Sequence, residues 1–247
     1  MVNPAKQPEF ILGEIGSSSL EMVAFEQGYR RNKKSDEKLL NQAKEAAKKA
    51  EVVLIFAGLD EISESEGLDR THMNMPQAQN MLIDEITTVN PNVIVVLSAG
   101  SAVEMPWYSY VRGIVHGYLG GQAGASAMLN VLTGKVCPSG KLNETYPMHC
   151  EDTPVQHYYP SKERSSEYRE ALYVGYRYYT TVDKKVRFPF GFGLSYTTFK
   201  YSDLKIDESG VTLRLRGLLW QILLTHEQVE ILYPIFFQHK AAQFPYL

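Results

Sequence analysis

Val52-Val53-Leu54-Ile55-Phe56-Ala57-Gly58 is a short, unbroken apolar run, rich in branched residues and closed by glycine. Such a run reads as a buried strand. Just beyond it stands Glu64-Ser65-Glu66-Gly67-Leu68-Asp69-Arg70, which packs three carboxylates and one arginine into seven residues. In an open α/β sheet, ligands bind outside the carboxyl ends of the strands. The acidic stretch therefore lies where such a sheet keeps its chemistry. A solvated acidic loop is the alternative for any segment of this composition.

On either side of the strand the pattern becomes helical. Ser35 is a plausible N-cap, with Asp36 and Glu37 placed to favour the positive end of the helix it opens. Leu39, Leu40, Ala43, Ala46, Ala47 and Ala50 then recur at helical spacing. Downstream, Pro76 suits the first turn of a second helix, whose apolar stripe is Met81, Leu82, Ile86 and Val89. Asn90-Pro91-Asn92 ends it, and Val93-Ile94-Val95-Val96-Leu97 is a second buried strand. Gly113 to Tyr118 is a weaker third strand, and a third helix runs from Ala125 to Leu132. This β-α-β-α-β order with short connections predicts a mainly parallel sheet covered by helices. Gly120-Gly121-Gln122-Ala123-Gly124 matches neither phosphate-cradling glycine motif, so nucleotide binding is not expected.

Past residue 136 the style changes. A polar, turn-rich stretch to about Arg169 is followed by aromatic runs punctuated by glycine, Tyr173–Tyr179 and Phe188–Tyr196. Phe199–Ile206 and Val211–Arg216 alternate in period two and read as the opening strands of a separate β module. The tail, 217–247, holds only three Asp, Glu, Lys or Arg residues and shows no clear strand period. It is expected to be an aberrant, poorly packed end.

Composition narrows the function classes. The chain has 247 residues, 44% of them apolar and 21% charged, as a globular protein does. A net charge of −3 gives no reason to expect nucleic acid or an anionic membrane as partner. Two cysteines, Cys137 and Cys150, are too few for a disulfide framework, and no Cys/His spacing resembles a metal site. With no signal-peptide pattern at Met1–Lys6, a reducing, cytoplasmic setting is the simpler expectation. The 16 tyrosines and 10 phenylalanines include candidates for stacking on sugar, although core packing accounts for most aromatics.

Several long motifs occur in a telling order: ESEGLDR (64–70), MP-x-x-Q (75–79), NPNVIVVL (90–97), MPW (105–107), GYLGGQAG (117–124), PSGKLNETYP (138–147), VGYRYY (174–179) and FPFGFGLSYTTF (188–199). In these the chain resembles glycoside hydrolase family 3, with bacterial β-glucosidases as its nearest members, from about residue 24 to about 213. Family members combine a TIM-like barrel, an α/β sandwich domain and often a fibronectin-type-III-like domain. The resemblance implies a three-layer α/β sandwich over residues 1–196, its opening missing. An incomplete fibronectin-type-III-like module over 197–247 follows from the same likeness.

The resemblance also implies a mechanism. Retaining glycosidases use two carboxylates about 5–5.5 Å apart. In this family the nucleophile is an aspartate of the barrel, which this chain is expected to lack, and the acid/base is a glutamate on a sandwich-domain loop. That glutamate maps to Glu66, directly before Gly67, with Glu64 as the alternative. Gly67, Asp69 and Arg70 are expected to support the loop, with Asp69 and Arg70 as its clamp. The implied substrate is a terminal β-glucoside, the implied partner is the barrel, and neither metal nor cofactor is called for. A non-catalytic carbohydrate-binding or interaction module is the competing reading.

Overall fold

The apolar runs at 52–58 and 93–97 lie side by side. A computed structural model of the chain describes residues 11–16, 18–30, 35–161, 164–165, 167–207, 210–222, 231–238 and 242–244, with side chains through residue 205. The chain divides into two compact units, one of residues 1–128 and 141–192, the other of 129–140 and 193–247.

The first unit begins with a short helix, α1 (Ile11–Ile15). Helix α2 (Glu37–Ala47) is capped by Asp36, whose carboxylate accepts from the Lys38 and Leu39 N–H groups. The expected cap at Ser35 is thus displaced by one residue. A carboxylate at the cap satisfies two of the helix's orphan donors and complements its positive end. Strand β1 (Val53–Gly58) follows, then α3 (Gln77–Thr87), β2 (Val93–Ser98) and β3 (Gly113–His116). Helix α4 (Gly124–Leu132) follows β3 in the chain. Pro76 is the N-cap of α3 rather than a residue of its first turn.

The three strands form one parallel sheet in the order β1-β2-β3, with Val53 opposite Val93 and Ile94 opposite Gly113. Side chains alternate across a strand, so odd-numbered residues share a face. Ile55, Ala57, Val93, Val95 and Leu97 supply that face to the core, where they meet Ala47 of α2 and Leu82, Ile83 and Ile86 of α3. Ile83 and Val93 are wholly buried. The expected helical stripe is out of phase at one position: Met81 is exposed, and Ile83 takes the inward place. Trp107 and Tyr146 close the same core. A short antiparallel pair, β4 (Tyr146–Pro147) with β5 (Val186–Phe188), flanks α5 (Tyr176–Thr181) in sequence.

In this sheet β1 is an edge. The N–H groups of Val53 and Leu59 bond to the carbonyls of Asn92 and Ser98, so the even-numbered residues of β1 direct their backbone groups outward. Two side chains cover that edge. Tyr29 donates its hydroxyl to the Phe56 carbonyl at 3.2 Å. The buried Gln79 carboxamide accepts from Gly58 N–H at 2.8 Å and donates to its carbonyl at 2.9 Å, as a neighbouring strand would. Glycine is required at position 58, because a Cβ there would lie 1.8 Å from the Ser98 carbonyl oxygen.

The second unit holds an antiparallel sheet of β6 (Thr197–Asp207), β7 (Gly210–Ile222), β8 (Ile231–Gln238) and β9 (Ala242–Phe244), with β7 paired to the other three. The sequence shows no clear strand period beyond Arg216. The backbone nonetheless carries β7 to Ile222 and lays β8 and β9 against it, since ladder hydrogen bonds join backbone groups and need no side-chain alternation. Residues 223–230, 239–241 and 245–247 of the tail lie outside the described residues. A fibronectin-type-III-like module is a sandwich of two sheets; one sheet is described in this unit.

Replacing Gln79 by alanine should leave both backbone groups of Gly58 buried and unsatisfied, at a cost of about 2–4 kcal/mol. The measurement is urea unfolding of the chain followed by circular dichroism. A loss near zero would show that water reaches Gly58 and that the carboxamide is not needed there.

Candidate functional site

The acidic loop begins where Gln79 closes β1. Asp60 starts its first turn: the Ser63 N–H reaches the Asp60 carboxylate at 2.9 Å, and the Glu64 N–H reaches the Asp60 carbonyl at 2.9 Å. A second turn follows at once, closed by Leu68 N–H to Ser65 carbonyl at 3.3 Å. Gly67 stands at its third position with φ of +78°, a left-handed conformation that glycine adopts without strain. Glu66 is therefore at the tip of a tight turn. It is exposed, and among the described residues it has no hydrogen-bond or ion-pair partner.

Glu64 is placed quite differently. One carboxylate oxygen accepts the Gly100 N–H at 2.7 Å and the other accepts the Ser101 hydroxyl at 2.7 Å. Both partners lie in the loop that follows β2. Arg70 reaches the same loop, donating to Ser101 Oγ at 2.7 Å and to the Ala102 carbonyl at 3.1 Å. Asp69 turns elsewhere and accepts the Tyr159 hydroxyl at 2.5 Å. That bond holds the Tyr159 phenol above its ordinary pKa. Asp69 and Arg70 thus do not pair with each other; each fastens the loop to a different segment. Further along, Glu104 N–H donates to the Met73 carbonyl at 2.8 Å, inside a short parallel bridge between Asn74 and Glu104.

Beneath these loops lies a polar layer at the carboxyl end of β3. His116 places Nδ1 3.3 Å from the Leu97 carbonyl and Nε2 2.7 Å from the Tyr146 hydroxyl. Its ring lies against that of Tyr118, which donates its hydroxyl to Asn143. Burial pushes His116 below the ordinary histidine range, against the Leu97 carbonyl and the Glu64 charge. Burial likewise raises the Tyr146 hydroxyl and the Glu144 carboxyl; the Ala102 N–H and the Arg70 charge oppose the shift at Glu144.

The remaining candidates fall outside this arrangement. Trp107 is wholly buried and donates its indole N–H to Asn80 at 2.8 Å, so its ring belongs to the core. Arg177 lies over the Tyr176 ring at 5.4 Å. Among the described residues no group of three or more His, Cys, Asp or Glu side chains is arranged to hold a metal ion, and no helix is long and apolar enough to cross a membrane. Gly100, Ser101 and Tyr159 go unmarked in the sequence. A backbone N–H carries no side-chain signal, and a serine or tyrosine in a polar loop is ordinary.

The His116 ring supplies a pH test. Its pKa in the folded chain is lower than in the unfolded chain, so the stability of the neutral ring is fully present above pH 6.5 and declines as pH falls below that value through the folded pKa. Unfolding free energy should accordingly drop as the solution is acidified just below pH 6.5, and His116→Gln should flatten that slope. Identical slopes for the two chains in denaturant titrations would show that the ring is not held neutral by burial.

The model of the Glycosyl hydrolase family 3 C-terminal domain matches residues 5–196. Thermostable beta-glucosidase B of Acetivibrio thermocellus is 47% identical over 200 residues, which cover 81% of this chain and 26% of that protein. The exo-alpha-(1->6)-L-arabinopyranosidase of Bifidobacterium breve is 43% identical over 177 residues, 71% of this chain and 23% of that protein. The crystal structure of the Bifidobacterium adolescentis GH3 beta-glucosidase superposes with a TM-score of 0.81 at 34% identity, over 96% of this chain and 39% of that one. The chain thus spans about a quarter of the length of the curated relatives it matches.

Proposed function

The chain belongs to glycoside hydrolase family 3, and from that premise we propose that it carries the general acid/base of a glycosidase that removes terminal β-linked sugars with retention. The barrel that bears the nucleophile is not among its residues, and the chain alone is inactive. Glu66 is the acid/base. One observation carries this reading: of the carboxylates in the Glu64–Arg70 stretch, Glu66 alone is uncommitted among the described residues. Glu64 is held by Gly100 and Ser101, and Asp69 by Tyr159. A proton donor must be able to reach the glycosidic oxygen, and a side chain at the tip of an exposed turn can do so.

In the first step the Glu66 carboxyl gives its proton to the departing oxygen while the partner carboxylate attacks the anomeric carbon. In the second, the Glu66 carboxylate takes a proton from the water that displaces that carboxylate, and the acid is restored. Both steps need both carboxylates. Relatives named for a β-glucoside and for an α-(1→6)-L-arabinopyranoside resemble this domain to a similar degree, 47% and 43%. Their likeness supports placing the choice of sugar outside this domain, which supplies the proton.

In a protein that joins this domain to its barrel, Glu66→Gln should cut kcat/KM by roughly 10²–10⁴-fold for glycosides with poor leaving groups. The loss should be far smaller for dinitrophenyl glycosides, which depart without proton assistance, and azide should restore turnover by attacking the glycosyl-enzyme. The chain by itself should release no measurable nitrophenol from an aryl β-glucoside. Near-normal activity in Glu66→Gln would remove this residue from the mechanism.

A further inference from the structure

Resting on that reading of Glu66, we propose that Glu64 is a positioning residue, the near half of a two-point latch that sets the height and direction of the Glu66 turn. Arg70 is the far half. The two residues bracket the turn, and both are anchored to the same three-residue stretch beyond β2. Glu64 holds the Gly100 N–H and the Ser101 hydroxyl; Arg70 holds that hydroxyl and the Ala102 carbonyl. Ser101 Oγ is the shared pivot, giving its proton to Glu64 and receiving one from Arg70.

The fit is close. A Cβ at Gly100 would lie 3.0 Å from a Glu64 carboxylate oxygen, tighter than ordinary van der Waals contact. Only five residues separate the two anchors, and the turn closed by Leu68 N–H to Ser65 carbonyl occupies four of them. With Gly67 fixed at φ of +78°, little backbone freedom is left to Glu66. Glu64 has both oxygens engaged by a neighbouring loop, so it cannot turn to a glycosidic oxygen without releasing an anchor. Proton transfer depends steeply on placement: a misplacement of about 1 Å can cost about 100-fold in rate.

The test uses the barrel-bearing protein with Glu64→Ala, Ser101→Ala, their double variant and Glu64→Gln. Glu64→Ala and Ser101→Ala should each lower kcat/KM about 10- to 100-fold on glycosides with poor leaving groups and much less on dinitrophenyl glycosides, with KM for the former little changed. Azide should restore less than it does in Glu66→Gln, because Glu66 remains as a base. Glu64→Gln, whose carboxamide oxygen still accepts from Gly100 N–H, should recover part of the loss. The double variant should be no worse than Glu64→Ala, as expected of two residues in one network. In the chain alone, Glu64→Ala should speed amide exchange at Gly100 and across 64–70.

Four results would overturn the latch. Wild-type kcat/KM in Glu64→Ala beside an impaired Glu66→Gln would remove the latch and leave the acid/base reading standing. An equal loss on every substrate together with a lowered Tm would reduce Glu64 to a structural part. Azide rescue of Glu64→Ala with a near-normal Glu66→Gln would transfer the acid/base role to Glu64 and sink both readings. No loss in either variant would sink both as well.

Discussion

The Gln79 carboxamide does at Gly58 what a fourth strand would do. It takes the outward N–H and carbonyl of the last residue of β1, and so ends the strand at a defined point. Gly58 in turn lies too close to the Ser98 carbonyl for any side chain, which pulls the ends of β1 and β2 together. The two loops that leave those ends, 59–76 and 99–112, therefore start side by side. The contacts of Glu64 and Arg70 with Gly100, Ser101 and Ala102 follow from that shared origin. A bidentate amide buried at a strand end is also an expensive thing to lose, because both partners are backbone groups with no route to water.

From this origin the loops are joined by bonds of two ranges. Asp60 and Ser65 organise turns within a few residues. Glu64, Arg70 and Glu104 then tie those turns across to the neighbouring loop. The local bonds set the shape of the acidic stretch, and the cross-loop bonds set where that shape points. Charge contributes through placement rather than number. Three carboxylates crowd the 64–70 stretch, yet one faces a backbone donor and a hydroxyl, one faces a phenol, and one stands at the tip.

Much of the fold was legible because β1 and β2 are continuous apolar runs, and a parallel sheet buried by helices asks for that pattern. The helices were legible in outline and not in phase. Met81 and Ile83 are equally apolar, and only packing against Val93 and Val95 decides which one turns inward. Asp36 outranked Ser35 as a cap because its carboxylate reaches two N–H groups. In the tail the side-chain pattern and the backbone pairing diverge. Strands β8 and β9 lack the alternation that would announce them, and they are recognised only through their pairing with β7. The candidate loop was legible through its resemblance to a family, which points at Glu66 with Glu64 as the alternative. What distinguishes their placement is a backbone N–H 36 residues and a serine hydroxyl 37 residues from Glu64, neither of which leaves a mark on the local sequence.

The tip of the turn carries one more requirement. A general acid keeps its proton until the leaving group needs it, and apolar surroundings favour that state. In this chain the tip stands in water, and the apolar side chains beside it, Ile62 and Leu68, are 76% and 65% exposed. Large apolar side chains flanking a functional carboxylate gain little from facing solvent. They become useful once another surface closes over them, because the water they expel is the water that would otherwise solvate the carboxylate. On the proposed reading, the loop supplies direction through its latch and the means of desolvation through its flanks, and the barrel completes the acid by covering it.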